Sequence, residues 1–372
     1  MSNVADPVET PDEPASGRSS EAAFIVQSRA LVKDLFQPSG AIYWADLLVC
    51  IAVGYAAFYF VHDAGLHWAA RAGLFVLSSL AFYRAVLFTH ELTHLGGNEF
   101  TGFRVAWNLF VGMPLLAPSF LYYTHLDHHR PKHYGTHRDG EYVPLAKGPI
   151  WAVILFVVNS LWVPALVVIR FLVLTPLAWS SRKLRVLIHM YASALVIDPK
   201  YARPRPAPRE WRIWRVQEVV CLVYLLTVGT LLVTGVIHWS WLVQAYAMAV
   251  FVVTINAVRT LAAHRYRHAT GEPLSLTDQL LDSINHPRHP LLTEVWAPVG
   301  LRFHALHHLF PGLPYHALPE AHRRLMANLP EGSIYHQTNS PGLWASLTQL
   351  WRDSRASTRE AHSAPAAPAT AK

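Results

Sequence analysis

Residues 88–97 read FTHELTHLGG, and they stand where a long apolar run ends. The run before them, residues 68–88, is close to the ~20 residues an α-helix needs to cross about 30 Å of hydrocarbon. His90, Glu91 and His94 then spell H-E-x-x-H. If the span's helix continues through them, the two imidazoles lie one turn apart on one face, beside a carboxylate. The wording of the motif is that of a zinc protease. Two histidines at i and i+4 serve other metals equally well, so the rest of the chain has to decide.

Composition points to a membrane protein. Of 372 residues, 52% are hydrophobic and only 15% charged, and mean hydropathy is above zero. Soluble chains of this length are seldom so apolar. Four runs have spanning length: 41–61, 68–88, 219–237 and 239–258. Short loops at 62–67 and at His238 join them into two transmembrane hairpins. Two further apolar stretches are interrupted, 105–123 by Gly112, Pro114 and Pro118, and 149–179 by Pro164 and Pro176. Chemistry assembled from distant motifs needs those motifs on one side of the membrane. Both interrupted stretches are therefore expected to be re-entrant or interfacial helices, or an even number of passes. Asp46 and Arg84, near the same ends of the first two spans, are expected to pair.

Charge sets the orientation. Nine Lys/Arg stand against Asp198 and Glu210 between residues 182 and 215, a local +7 that equals the chain's net charge. Beside apolar spans such a block reads as a cytoplasmic loop at the membrane surface, which puts both termini on that side. No nucleic-acid motif accompanies it, so a nucleic-acid partner is not expected. Cys50 and Cys221 lie inside apolar runs and read as small hydrophobes, not as a disulfide framework. Residues 1–22 are rich in Pro, Glu, Asp and Ser, without the apolar core of a signal peptide. The expected organisation is a disordered tail and lead-in over 1–40, one membrane domain over 41–352 and a disordered tail over 353–372.

The histidines carry the function. There are 22. After His90 and His94 come His125, His128 and His129 in THLDHH, His264 and His268 in HRYRH, and His304, His307 and His308 in HALHHL. On a helix, positions i, i+3 and i+4 share a face, so each H-x-x-H-H aims three imidazoles at one region. A lone histidine pair is more often core, cap or surface than ligand. Two triplets and two pairs, all just after apolar runs or in the segments that follow them on one expected face, are a metal site. Zinc takes three or four protein ligands. Eight to ten imidazoles suit two metal ions, and imidazole serves zinc, copper, iron and nickel alike. An intramembrane zinc protease would need an acidic ligand in a later span, and 219–237 and 239–258 hold no Asp or Glu. A metal transporter would need polar spans, and these are apolar. His133, His137, His286, His289, His316 and His322 lack the spacing and are read as supporting or surface residues.

HELTH, HLDHH and HALHH, followed by HHLFPGLPYHALPEAHRRL, resemble the three histidine boxes of the membrane fatty acid desaturases and related hydroxylases. The resemblance spans roughly residues 40–330. It implies an all-α integral membrane protein, with four transmembrane helices in two hairpins, interfacial helices and a cytosolic helical cap holding a non-haem di-iron site. It implies O2 as co-substrate and hydrogen abstraction from an unactivated C–H bond. Carried over, the ligands of the two irons are His90, His94, His125, His128, His129, His304, His307 and His308. One more comes from between the second and third boxes, His264 with His268 in reserve. Imidazole ligands need partners on their other nitrogens. Glu91 and Asp127, inside boxes, and Asp278 and Asp282 are the candidates. The expected activity is desaturation of a fatty acyl chain, with lipid hydroxylation as the alternative. No fused cytochrome b5 domain is visible, so electrons are expected from a separate ferredoxin or cytochrome-type donor. The Ala/Arg/Pro-rich composition suggests a bacterial inner membrane.

Overall fold

The computed structural model describes residues 15–95 and 100–363. These residues form helices and connecting turns, with isolated β-bridges and no strands. The first hairpin is α2 (Gly40–Phe60) and α3 (Trp68–His94), after α1 (Ala15–Val32). α2 and α3 pack closely because Gly54 leaves room for the Phe82 ring, whose atoms come within 3.1 Å of where a Cβ would stand. The Ser78 hydroxyl also donates to the Gly54 carbonyl at 2.9 Å. Small residues and interhelical hydrogen bonds of this kind hold helices together where lipid offers no hydrophobic drive. The second pair of spans is α10 (Pro208–Val233) and α11 (Trp239–Leu261).

Asp46 and Arg84 pair as expected, with Arg84 Nε 2.8 Å from Oδ1 and Nη2 2.5 Å from Oδ2. The Tyr315 hydroxyl donates to the same carboxylate at 2.8 Å. An intramembrane charge pair thus fastens the first hairpin to the segment after the third box.

The interrupted stretch 105–123 enters and returns. α4 (Thr101–Trp107) leads into a π-turn at Asn108–Gly112. The Trp107 indole donates to the Ala85 carbonyl at 2.7 Å, and the Phe110 carbonyl accepts from Tyr55, well along α2. A turn through Leu116, at φ 56°, brings the chain back to α5 (His125–His128).

The second interrupted stretch differs from expectation in one respect. Among the described residues five segments, not four, are long and apolar enough to cross a membrane, and the fifth is Val163–Ser180. It consists of α7 (Val163–Ile169), a π-turn at Arg170–Leu174 and α8 (Thr175–Ser180) in one continuous run. The prolines expected to break it, Pro164 and Pro176, occupy first turns, where the missing N–H costs little. It is the return arm of a hairpin with α6 (Ile150–Val158). The turn between them lies deep, since the Leu161 carbonyl accepts from Tyr246 in the first third of α11. On the way back, Arg170 Nε donates to the Ala192 carbonyl at 2.6 Å and its guanidinium pairs with Glu218, in the first half of α10. The run from α6 to α8 thus turns back on itself. α9 (Arg182–Ala192) follows.

Both chain ends carry more structure than composition suggested. α1 buries Val32 beside Phe24 and Leu31 against the later helix α15 (Leu318–Asn328), and Asp34 pairs with Arg324 at 2.7 Å. Its apolar residues recur at helical spacing, a local signal inside a polar stretch. Residues 1–14, expected to be disordered, lie outside the described residues. The boundary drawn at 353 cuts through α16 (Leu343–Ser363), which packs Leu347 and Leu350 against Tyr142, Val153 and Leu261. The tail beyond 363 again lies outside the described residues.

Candidate metal centre

The three boxes sit on helix ends that the spans deliver to one place. His90 and His94 form the last turn of α3. His125 and His128 belong to the one-turn α5, and His129 is its C-cap. His304, His307 and His308 lie on α14 (His304–Leu309). His264 follows the end of α11 by three residues.

These nine histidines form two groups. His90, His94, His125, His129 and His307 each offer a nitrogen within 4.8 Å of the others, and so do His128, His264, His304 and His308. Each H-x-x-H-H is split between them. Its i and i+4 histidines, about 40° apart around the helix, go to one group. The i+3 histidine, rotated the other way, goes to its neighbour. The second box sends His125 and His129 to the five-member group and His128 to the four-member group. The third box reverses this, with His304 and His308 in the four-member group and His307 in the five-member group.

The Nε2 atoms converge. In the first group they lie 2.9 Å apart for His125–His129, 3.1 Å for His129–His307 and 3.2 Å for His94–His307. In the second they lie 2.8 Å apart for His264–His304, 3.2 Å for His304–His308 and 3.3 Å for His128–His264. Nitrogens bound about 2.1 Å from a metal stand roughly 3.0–3.4 Å apart along the edges of an octahedron or tetrahedron. A neutral imidazole has one N–H, so hydrogen bonding cannot satisfy so many converging lone pairs. His90 has both ring nitrogens buried without a partner. The donor set fits two metal ions, one per group.

Burial keeps the donors neutral. It pushes His125, His129, His304, His307 and His308 well below the usual histidine range, and the neighbouring imidazoles add to the effect. Burial also lowers His264. For His128 burial acts in the same direction, but the Asp139 carboxylate overrides it and the ring is held above its ordinary value.

The outer nitrogens show which acids support the site. His128 Nδ1 lies 2.9 Å from Asp139, whose oxygens also accept the Gly135 and Glu141 backbone N–H groups at 3.0 and 2.9 Å. His125 Nδ1 lies 2.9 Å from Glu141. Burial raises Glu141 to about 7, with the His128 charge pulling the other way. His264 Nδ1 lies 2.9 Å from the Tyr134 hydroxyl, which also contacts Asp282 at 3.0 Å. Asp139, Glu141 and Tyr134 were missed. They lie in the irregular loop after the second box, where no periodicity marks them.

The four acids expected in this role divide. Asp282 backs His264, at 3.5 Å from Nδ1. Glu91 stands 3.8 Å from His90 Nδ1, but it mainly accepts from the Tyr43 hydroxyl and from the Tyr315 N–H at 3.1 Å. Asp127 faces outward and binds Arg130 and His133 at 2.7 and 3.1 Å. Asp278 caps α12 (Leu276–Asp282) through Ser275. His268 belongs to neither group. It turns toward the Glu272 carbonyl at 2.7 Å, because the chain after α11 is not helical and i, i+4 no longer share a face. His286 and His322 bind Ser346 and Tyr335, and His316 accepts from the Ser39 N–H.

The profile of the family described as "Fatty acid desaturase" matches residues 66–339. The "Ceramide hydroxylase" of Caulobacter vibrioides (strain NA1000 / CB15N) is 38% identical over 350 residues, covering 94% of this chain and 99% of the relative. No solved structure matches significantly. The chain belongs to the fatty acid desaturase family, an enzyme family that includes hydroxylases.

Proposed function

We propose that this protein is an O2-dependent lipid hydroxylase acting on a ceramide-type lipid through two irons held by the nine histidines. The observation that carries the hydroxylase reading is near-full-length similarity to a ceramide hydroxylase. The converging Nε2 atoms support the metal assignment. Iron bound there supplies activation of O2 and abstraction of hydrogen from an unactivated C–H bond.

The chain's own residues do the rest. His90, His94, His125, His129 and His307 would hold one ion, and His128, His264, His304 and His308 the other. Asp139, Glu141 and the Tyr134–Asp282 pair fix the tautomer and direction of His128, His125 and His264. Burial of the histidines keeps water from the reacting centre. The spans bring a lipid to that centre from the bilayer side.

Electrons would come from a separate ferredoxin or cytochrome-type protein, docking on the basic surface. Arg203 is not part of that surface, since it is buried against Trp214 with its guanidinium 4.0 Å from the ring. Arg182, Lys183, Lys200, Arg205, Arg209, Arg212 and Arg215 are exposed and available. The same charges favour a cytoplasmic histidine face in a bacterial inner membrane.

Desaturation of a fatty acyl chain is the second reading, favoured by the family profile. Incubation of the iron-loaded protein with dihydroceramide, O2 and a reducing system separates the two. Mass spectrometry is expected to find a product with one added oxygen. Loss of two hydrogens would favour the desaturase reading, and an unchanged lipid beside iron-loaded protein would overturn both.

A further inference from the structure

Arg259 lies in the last turn of α11, five residues before His264. It is 8% exposed. Among the described residues no carboxylate is within ion-pair distance of it, in contrast to Arg84 and Arg170. One guanidinium nitrogen donates to Asn256 Oδ1 at 3.0 Å, and Nε is buried with no partner. The side chain is thus buried at the end of the span that delivers His264.

A desolvated guanidinium without a counter-charge is costly, and an ionisable residue inside a span calls for a partner. A basic residue in a last turn does complement the helix dipole. That role is served by an exposed charge, and a long side chain in lipid would snorkel to the interface. Arg259 instead stays buried, with donors such as Nε left without a partner. A plain methylene chain has nothing to offer these donors. An amide carbonyl or hydroxyl oxygen does.

We propose that Arg259, held by Asn256, binds the amide and hydroxyl oxygens of a ceramide-type head at the membrane end of the metal centre. The proposal rests on the ceramide reading above and sharpens it. Two helical residues and three beyond the helix span at most roughly 14 Å, so the bound head stays near the reacting carbon. Oxidation then falls on the carbons beside the head, not midway along a chain.

The test uses full-length, iron-loaded protein in detergent. The probes are N-palmitoyl dihydrosphingosine and the same lipid with its amide and hydroxyls methylated. Binding is read without O2 by tryptophan fluorescence, and iron content serves as the control for folding. Arg259→Met is expected to bind the unmodified lipid roughly 10- to 100-fold more weakly, the loss expected for charge-assisted hydrogen bonds. Its affinity for the methylated lipid should change by less than about threefold. Arg259→Lys keeps the charge but not the fork, and should recover only part of the loss. If Arg259→Met does not fold, Arg259→Lys against wild type decides. Tandem mass spectrometry of the wild-type product should place the new oxygen next to the amide or hydroxyl carbons. Undiminished binding by the variants, or a mid-chain oxygen, would overturn the role of Arg259 and leave the hydroxylase reading standing. A wild-type protein that neither binds nor oxidises the unmodified lipid would overturn both.

Discussion

Replacing His128 or His307 with alanine is expected to abolish lipid oxidation and to lower bound iron toward about one ion per chain. The two residues test the division of the histidines, because they come from different boxes and serve different groups. His128 is one of four donors, and its loss leaves three. His307 is one of five, and its Nε2 lies near those of both His94 and His129. Loss of a residue that merely supports a ligand typically costs 10–100-fold, so loss of a ligand should cost more than roughly 100-fold in activity. His128→Ala should release its iron more completely, since the smaller group has no donor to spare. His137→Ala is the control. That residue is exposed and outside both groups, and its loss should leave iron and activity within about twofold. Full activity in His307→Ala would refute the ligand assignment.

Asp139→Ala is expected to have the next largest effect, although Asp139 touches no metal. Its side chain is fully buried and meets His128 Nδ1 and two backbone N–H groups. Burial alone would raise its pKa, but the His128 charge and these hydrogen bonds hold it below the usual carboxylate range. Removing it frees the His128 ring to rotate and strands donors away from water. Each stranded donor costs about 1–3 kcal/mol, and iron affinity or activity should fall roughly 10–100-fold. Asp127→Ala, next to His128 in sequence, should do little. Asp127 pairs with an exposed arginine, and such pairs contribute about 0–1 kcal/mol. Metal analysis beside thermal unfolding of the two variants checks the contrast.

That contrast marks how far the sequence could be read. The boxes were legible because each is a single short helix, where spacing alone fixes which imidazoles share a side. Their division into two groups was not, because it depends on how α3, α5 and α14 face one another. Asp127 and Asp139 show the same limit. The first is conspicuous inside a box yet points away. The second stands eleven residues after His128 and is returned to it by a loop with a left-handed Gly135 at φ 71°. His268 was attractive at i+4 from His264 only while the chain there was taken as helical. Tyr266, at φ 55°, and the bridge from His264 to Ser283 show that it is not. Length and hydropathy mark the spans and end the fourth at 258. The helix continues to Leu261, and that extension brings Arg259 into the span.

The claim on which the account rests is that the nine histidines hold two irons. Elemental analysis of the detergent-purified, full-length protein tests it directly. The account predicts about two irons per chain with little zinc. About one zinc and no iron would contradict it, and would return H-E-x-x-H at residues 90–94 to the hydrolytic reading with which its spelling agrees.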